Sequence, residues 1–292
     1  MNTLSAPASL CYLNGEFLLL ANARISPLDR GFLFGDGAYE VIPCYARKPL
    51  RLAEHLLRLV NTLEGIRLPN PHHAGEWAEI IAKVLDGNPW DNQSIYLQVT
   101  RGAPPARKHT FPENTPPTVF LMSEQLTTPS IEQFNAGASA ISASDDRWLH
   151  CDFKTVSLIA NCLLKQRAQD ANCIEIILFR DGFLTEASSS NVFAVRNDVL
   201  LAPPRNHLIL PGITYDLVLE LAARHNIPHE VRAITEYEAR TADELWVTSS
   251  TKEILPITTL DGQPVGNGRV GAMAHKMYAL YQDFKHTLIL HG

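Results

Sequence analysis

Apolar and polar positions recur along this chain with two periods, one of about two residues and one of between three and four. Two short apolar runs, Leu10–Leu13 and Glu16–Ala21, flank Asn14-Gly15. Both turn residues tolerate φ > 0, so the pattern predicts a hairpin. After the glycine-rich stretch Gly31–Tyr39, residues Tyr39–Tyr45 read as a strand. Leu52, Leu56, Leu59, Val60 and Leu63 then recur at helical spacing and predict an amphipathic helix over Arg51–Leu63. A second helix is expected near Glu76–Leu85, then a strand over Ser94–Thr100. Pro104, Pro105, Pro112, Pro116 and Pro117 make the next stretch a loop, because proline lacks the N–H that regular helix needs. Thr118–Met122 resumes as a strand, and the polar stretch that follows reads as a linker.

The second half alternates in the same way. Strands are expected at Ala136–Ser144, Ile174–Arg180, Phe183–Thr185, Val192–Val195, Val199–Ala202 and Glu244–Val247, with more beyond Thr251. Asp181-Gly182 and Asp261-Gly262 mark hairpins, and helices are expected around Ser157–Ala171 and from Pro211-Gly212 to His225. The reading is an α+β chain of two domains, 1–124 and 134–292, joined by a linker over 125–133.

Composition narrows the function classes. A length of 292 residues fits two domains of roughly 150 each. A 46% hydrophobic and 19% charged chain is globular in kind, not disordered. With 25 basic against 31 acidic residues the net charge is −6, and no Lys/Arg run occurs. That argues against nucleic acid or an anionic membrane as the main partner. Cys11, Cys44, Cys151, Cys162 and Cys173 are odd in number and form no C-x-x-C pair, so reduced thiols in a cytoplasmic protein are expected. Cys11–Leu20 is interrupted by Asn14, Gly15 and Glu16, and no basic residue precedes it, so no signal peptide is expected. Nor is any apolar run long enough to span a membrane.

Few generic motifs carry chemistry. His225 and His229 have metal-like spacing, but Pro228 breaks the helix that would present both, and His72-His73 lies in a proline-flanked loop, so no metal site is expected. No Walker loop, dinucleotide fingerprint or nucleophile elbow is present. Lys154 lies in an apolar-flanked stretch ahead of a helix. Such a lysine either packs its stem and keeps its ammonium wet, or loses its proton and acts as an amine nucleophile. Glu186 precedes three serines at a strand end, as a capping residue or a site carboxylate. Gly212-Ile213-Thr214 stands at a predicted helix start, where free N–H groups and the helix dipole favour an anion, and Thr248–Thr251 offers four hydroxyls in a row. A lysine, a carboxylate and two phosphate-competent turns are the parts of a pyridoxal phosphate site.

These motifs resemble the class IV aminotransferases, the fold-type IV pyridoxal phosphate enzymes, and most of all their D-amino acid (D-alanine) aminotransferases. The likeness runs through DRGFLFGDGAYE (29–40), CDFK (151–154), TEASSSN (185–191), LPGIT (210–214), TSSTKE (248–253) and EILPITTLDGQPVGNGRVG (253–271). It implies a smaller α/β N-terminal domain, a larger C-terminal pseudo-barrel domain and pyridoxal 5'-phosphate between them. It implies that Lys154 holds the cofactor as a Schiff base and that Glu186 faces its pyridine nitrogen. Arg58, Ser189, Leu210, Ile213, Thr214, Ser249 and Ser250 complete the cofactor set, although the helical wheel puts Arg58 opposite the leucine stripe, where an arginine is usually solvated. Tyr39, Arg107 and His109 would hold the α-carboxylate of a D-amino acid, the last two from a loop that reaches across a homodimer, so that the active site is shared. A 2-oxo acid such as pyruvate or 2-oxoglutarate would accept the amino group in a ping-pong cycle.

The chain departs from the family pattern in places. Ala187 replaces a usual glycine, Tyr215 an arginine and Ser250 a threonine; the 101–109 loop is one residue longer, and Pro43 is expected to break the strand after Tyr39-Glu40. The alternatives on the same fold are a branched-chain L-amino acid aminotransferase, an (R)-amine transaminase and an aminodeoxychorismate lyase, and outside catalysis a ligand-binding protein. The Arg107/His109 pair favours the D-amino acid reading.

Overall fold

The computed structural model describes residues 9–291, so the first eight residues of the expected N-terminal domain, and residue 292, lie outside it. The chain divides into two compact units: residues up to 127 together with Phe153–Leu158, and Thr128–Asp152 together with Ile159–His291.

The first unit contains β1 (Leu10–Leu13), β2 (Glu16–Leu19), α1 (Arg30–Phe34), β3 (Gly37–Tyr45), β4 (Lys48–Pro49), α2 (Leu52–Gly65), α3 (Ala74–Asp86), β5 (Gln93–Thr100) and β6 (Thr118–Gln125). Its six strands run in the order β2-β1-β6-β5-β3-β4, with every neighbouring pair antiparallel. Asn14 (φ 50°) and Gly15 (φ 99°) make the expected tight turn. On β5 the alternate residues Ile95, Leu97 and Val99 are fully buried; they pack with Leu56, Leu59 and Leu63 of α2 and Trp77, Ile81 and Val84 of α3. Each such side chain contributes about 1.5–3 kcal/mol by leaving water.

Pro43 does not break β3, which runs on to Tyr45. The pairing explains why. The Tyr39 N–H and the Gly37 and Pro43 carbonyls all bond away from β5, to Lys154, Val156 and Leu50 respectively. Odd-numbered residues therefore face the outer edge, where the missing proline N–H leaves no gap in the ladder with β5. Segment 153–157 lies along that edge, with Tyr39 N–H donating to Lys154 O and Val156 N–H to Gly37 O, both at 3.0 Å.

The second unit contains α4 (Ile131–Ala136), β7 (Ala138–Ser144), α5 (Ile159–Asp170), β8 (Glu175–Arg180), β9 (Phe183–Ala187), β10 (Asn191–Arg196), β11 (Val199–Ala202), α6 (Ile213–Arg224), β12 (His229–Val231), α7 (Glu236–Arg240), β13 (Glu244–Ser249), β14 (Glu253–Leu260), β15 (Gln263–Pro264) and α8 (Ala272–His291). The stretch expected as a linker is more ordered than predicted: β6 runs to Gln125, and Ser130 and Gln133 form a capping box that starts α4. The strands run β12-β11-β10-β13-β14-β7-β8-β9, and β15 pairs with β14. The sheet curls, because Leu184 on the last strand donates to Ile234 O, just beyond the first strand, at 2.8 Å. Ala140, Ile177, Leu184, Val192, Leu201, Val247 and Leu255 fill the concave side of this half-barrel. On the other side, Leu164 and Ala168 of α5 pack on Ile176 and Leu178. Tyr215 of α6 stacks on Phe193 with ring centroids 5.0 Å apart, and Phe193 leans on Trp246.

The architecture is α+β, as the alternation predicts. The final helix, α8, is not among the expected elements. Its N-terminus is capped by Glu244, whose carboxylate accepts from Met273 N and Ala274 N at 2.9 Å. No helix among the described residues is long and apolar enough to cross a membrane.

Candidate active site

In the first unit, the chemistry gathers around Lys154. Its N–H donates to Thr62 Oγ1 at 3.2 Å and its carbonyl accepts from Tyr39. Its half-buried side chain puts Nζ 4.3 Å from the centre of the Tyr39 ring. Tyr39 also tilts against Tyr96, 5.7 Å away, so the structure groups Tyr39 with Lys154. Gly35, at φ +65°, ends α1 against Ser157, whose Oγ donates to the Gly35 carbonyl; a Cβ there would strike that hydroxyl.

Arg58 is not the solvated arginine of the helical wheel. It is 7% exposed and forks onto Glu40 of β3, Nε to Oε1 at 2.8 Å and Nη2 to Oε2 at 2.7 Å. His55 Nδ1 meets the same carboxylate at 2.8 Å, while its Nε2 is buried with no partner among the described residues. α2 thus buries two stripes, one of leucines and one of His55, Arg58 and Thr62. The fork uses two of the five guanidinium N–H groups.

Burial alone would raise the Glu40 carboxyl, but Arg58 and His55 outweigh it and hold the group at about 2, against an ordinary 4.5. A carboxyl depressed on folding stabilises the fold above its unfolded value and loses that contribution as pH falls. Stability is therefore expected to drop between about pH 4.5 and 2, and the drop should shrink in Glu40→Gln, measured by chemical denaturation across that window. Equal slopes in the two proteins would exclude Glu40 as a source.

The proline-rich loop is pinned to α1. Arg107 lays its guanidinium 4.6 Å from the Phe34 ring centre, and the His109 ring sits 5.3 Å from the same ring. The structure therefore brings Arg107 and His109 together, both exposed, around Phe34.

The second unit holds Glu186 at the end of β9, 5% exposed. Arg147 Nη1 donates to Oε1 at 2.5 Å; Asn191 Nδ2 at 3.2 Å and the Leu210 N–H at 3.0 Å donate to Oε2. Arg147 is itself forked onto Asp145, which also accepts from Thr185 and pairs with Arg180. Burial lifts the Glu186 carboxyl to about 7, against the downward pull of Arg147. Arg147 and Asp145 lie in none of the quoted motifs, and Asn191 closes TEASSSN without being singled out there; only the fold shows that Arg147 and Asn191 meet at Glu186, with Asp145 behind Arg147.

Asn191 also organises the two anion-competent turns. It pairs across the strands with Thr248, and its side chain fills the space beside Gly212, where any Cβ would collide with Oδ1. No side chain caps α6 at Gly212, so its dipole and the N–H groups of Ile213 and Thr214 are offered to an outside acceptor. Thr248 Oγ1, next to Ser249 and Ser250, is buried with no partner among the described residues. Lys252 anchors one side of this turn on Glu175 at 3.2 Å, and Glu253 anchors the other on Lys285 at 2.5 Å.

The remaining expectations fall elsewhere. Ser189 turns its hydroxyl to Glu175 at 3.2 Å, alongside Ser188 and Ser190. Leu210 acts through its backbone N–H on Glu186, and Tyr215 is a buried core residue whose hydroxyl donates to Pro203 O at 2.7 Å. A carboxylate fixed by three donors, an uncapped helix start and an unpartnered hydroxyl together suit a ligand with a protonated ring nitrogen at one end and a phosphate at the other.

The chain is similar to known proteins over most of its length. Residues 37–260 match the family model for amino-transferase class IV. A D-alanine aminotransferase of Bacillus licheniformis is 38% identical over 270 residues, which is 92% of this chain and 95% of that protein. A D-alanine aminotransferase of Staphylococcus epidermidis is 36% identical, over 94% of this chain and 96% of its own length. Among solved structures, a T.th. branched-chain amino acid aminotransferase with pyridoxamine 5'-phosphate superposes with a TM-score of 0.89 at 27% identity, covering 94% of this chain and 93% of that one.

Proposed function

This chain belongs to the class IV aminotransferases, and on that premise we propose that it moves the amino group of a D-amino acid such as D-alanine to a 2-oxo acid. The observation that carries the reading is the buried Glu186 carboxylate, fixed by Arg147, Asn191 and Leu210, with the start of α6 and the Thr248–Ser250 turn adjoining the same Asn191. The D-alanine aminotransferases that match over most of this chain support the substrate class.

The cofactor is pyridoxal 5'-phosphate, which when bound supplies an electrophilic carbonyl and an electron-withdrawing ring beside the substrate Cα–H bond. In this reading Lys154 would hold the cofactor through Nζ, and the same amine would take up and return the substrate Cα proton. Glu186 keeps a proton on the ring nitrogen; its own anchoring prevents it from rotating away. Ile213 and Thr214 N–H groups, with Ser249, Ser250 and Arg58, would hold the phosphate, while Leu210 acts at the other end through its N–H on Glu186. Arg107 forks onto the substrate carboxylate while His109 and Tyr39 add directional hydrogen bonds. The active unit in this reading is a homodimer, with the exposed Arg107/His109 loop serving the partner's site. The free cysteines among the described residues support a reducing, cytoplasmic setting.

The test is the visible absorption of the purified, cofactor-loaded protein. D-alanine is expected to bleach the bound-cofactor band and L-leucine to leave it. Bleaching by L-leucine alone would move the chain to the branched-chain enzymes, whose fold it shares.

A further inference from the structure

Arg30 is 4% exposed although it opens a helix of only five residues. Its Nε donates to Asp36 at 2.7 Å. The rest of the guanidinium faces the proline-rich loop: Nη1 donates to the carbonyls of Lys108 (2.5 Å) and Thr110 (3.3 Å), and Nη2 to that of His109 (3.2 Å). Three consecutive carbonyls of an irregular backbone are thus gathered by one side chain. One helical turn on, Phe34 offers its ring to both ends of this contact. The Arg30 guanidinium lies 4.7 Å from its centre and that of Arg107 4.6 Å, with the His109 ring 5.3 Å away. Arg101, which is forked onto Asp36, lies 3.6 Å from the centre of the Phe111 ring and so ties the far side of the loop to the same carboxylate.

A surface arginine loses side-chain freedom when it is fixed on a ligand. Arg107, already stacked on Phe34, has surrendered part of that freedom before any ligand arrives. We propose that Arg30 and Phe34 are positioning residues that aim Arg107 and His109, and so determine how tightly the substrate carboxylate is held. The proposal rests on the reading of Arg107 and His109 as carboxylate ligands. Arg30 sets the height of the loop through its backbone, and Phe34 sets the direction of the two side chains.

The experiment compares loaded enzymes carrying Arg107→Ala, Phe34→Ala, Phe34→Tyr, Arg30→Lys and the double change Phe34→Ala/Arg107→Ala. KM for D-alanine and kcat are measured in each, and cofactor affinity by absorbance titration. Arg107→Ala is expected to raise KM about a hundredfold, and Phe34→Ala about two- to fivefold, the size of one exposed cation–π contact. Arg30→Lys keeps the charge opposite Asp36 but cannot span three carbonyls, so KM rises there too. kcat and cofactor affinity stay within about twofold in the Phe34 variants, and Phe34→Tyr, which keeps the ring, restores KM. The double variant is no worse than Arg107→Ala alone, because Phe34 acts through Arg107. If Arg107→Ala raises KM but Phe34→Ala does not, or if the two effects multiply in the double variant, the positioning role is overturned and the carboxylate reading stands. An unchanged KM in Arg107→Ala overturns the carboxylate reading and this proposal with it.

Discussion

Lys154→Ala is expected to leave a folded protein that binds pyridoxal phosphate but no longer turns over. The acid–base role of the amine alone accounts for a loss of about 10²–10⁴-fold, and the lost covalent anchor adds to it. The fold survives because what holds this segment is main chain: Lys154 N–H to Thr62, its carbonyl to Tyr39 and Val156 to Gly37. Alanine keeps all three bonds, so the melting temperature should stay within about 2 °C of the parent. A small exogenous amine should restore part of the activity by carrying the proton that Nζ would carry. Activity above a tenth of the parent without added amine would remove Lys154 from the mechanism.

Arg147→Met should instead strike the fold. Arg147 is a buried cation between two buried carboxylates, and its removal leaves Glu186 without a counter-charge and Asp145 with Arg180 alone. Breaking a buried pair in this way costs about 3–5 kcal/mol. At this chain length that is a fall in melting temperature of roughly 5–8 °C. The pH dependence has a definite sign. The Glu186 carboxyl is already raised to about 7 by burial, and without Arg147 it rises further. A carboxyl raised on folding weakens the fold as pH climbs from its unfolded to its folded value; parent and variant share that loss up to about pH 7, so the deficit of Arg147→Met should widen above about pH 7. Adding Glu186→Gln should recover part of it, since a neutral amide needs no counter-charge. A loss below 1 kcal/mol, or a deficit that narrows with rising pH, would show that Arg147 does not hold Glu186 in charge balance.

The site is legible in the sequence where its chemistry lies in short contiguous runs. CDFK, TEASSSN, LPGIT and TSSTKE each place a candidate group beside a turn, and Lys154, Glu186 and the start of α6 can be proposed from them. Partnerships between distant residues cannot be read that way. Arg147 looks like any arginine until the fold carries it to Glu186, 39 residues on. Arg58 sits on the polar side of an amphipathic wheel, and only Glu40, buried on β3, explains why that side is buried as well. The stripe of His55, Arg58 and Thr62 at intervals of three and four is the one sequence signal for a second buried face. Pro43 defeats a reading by composition because the cost of a proline depends on which way its nitrogen faces, and that is a property of strand pairing. Arg30 lies beside a glycine-rich stretch that gives no sign of the five-residue helix holding it.

The placement of segment 153–157 along the outer edge of β3 reaches beyond catalysis. A strand edge with free N–H and C=O groups is a template for another chain, and exposed edges are a common route to aggregation. Here part of the edge is occupied: Lys154 and Val156 bond Tyr39 and Gly37, and Leu50 bonds the carbonyl of Pro43, which has no donor to offer. The segment that carries Lys154 thus also covers part of this edge, and β4 covers its far end. Substitutions that loosen the segment, even ones that spare Lys154 itself, are expected to expose that part of the edge and lower solubility.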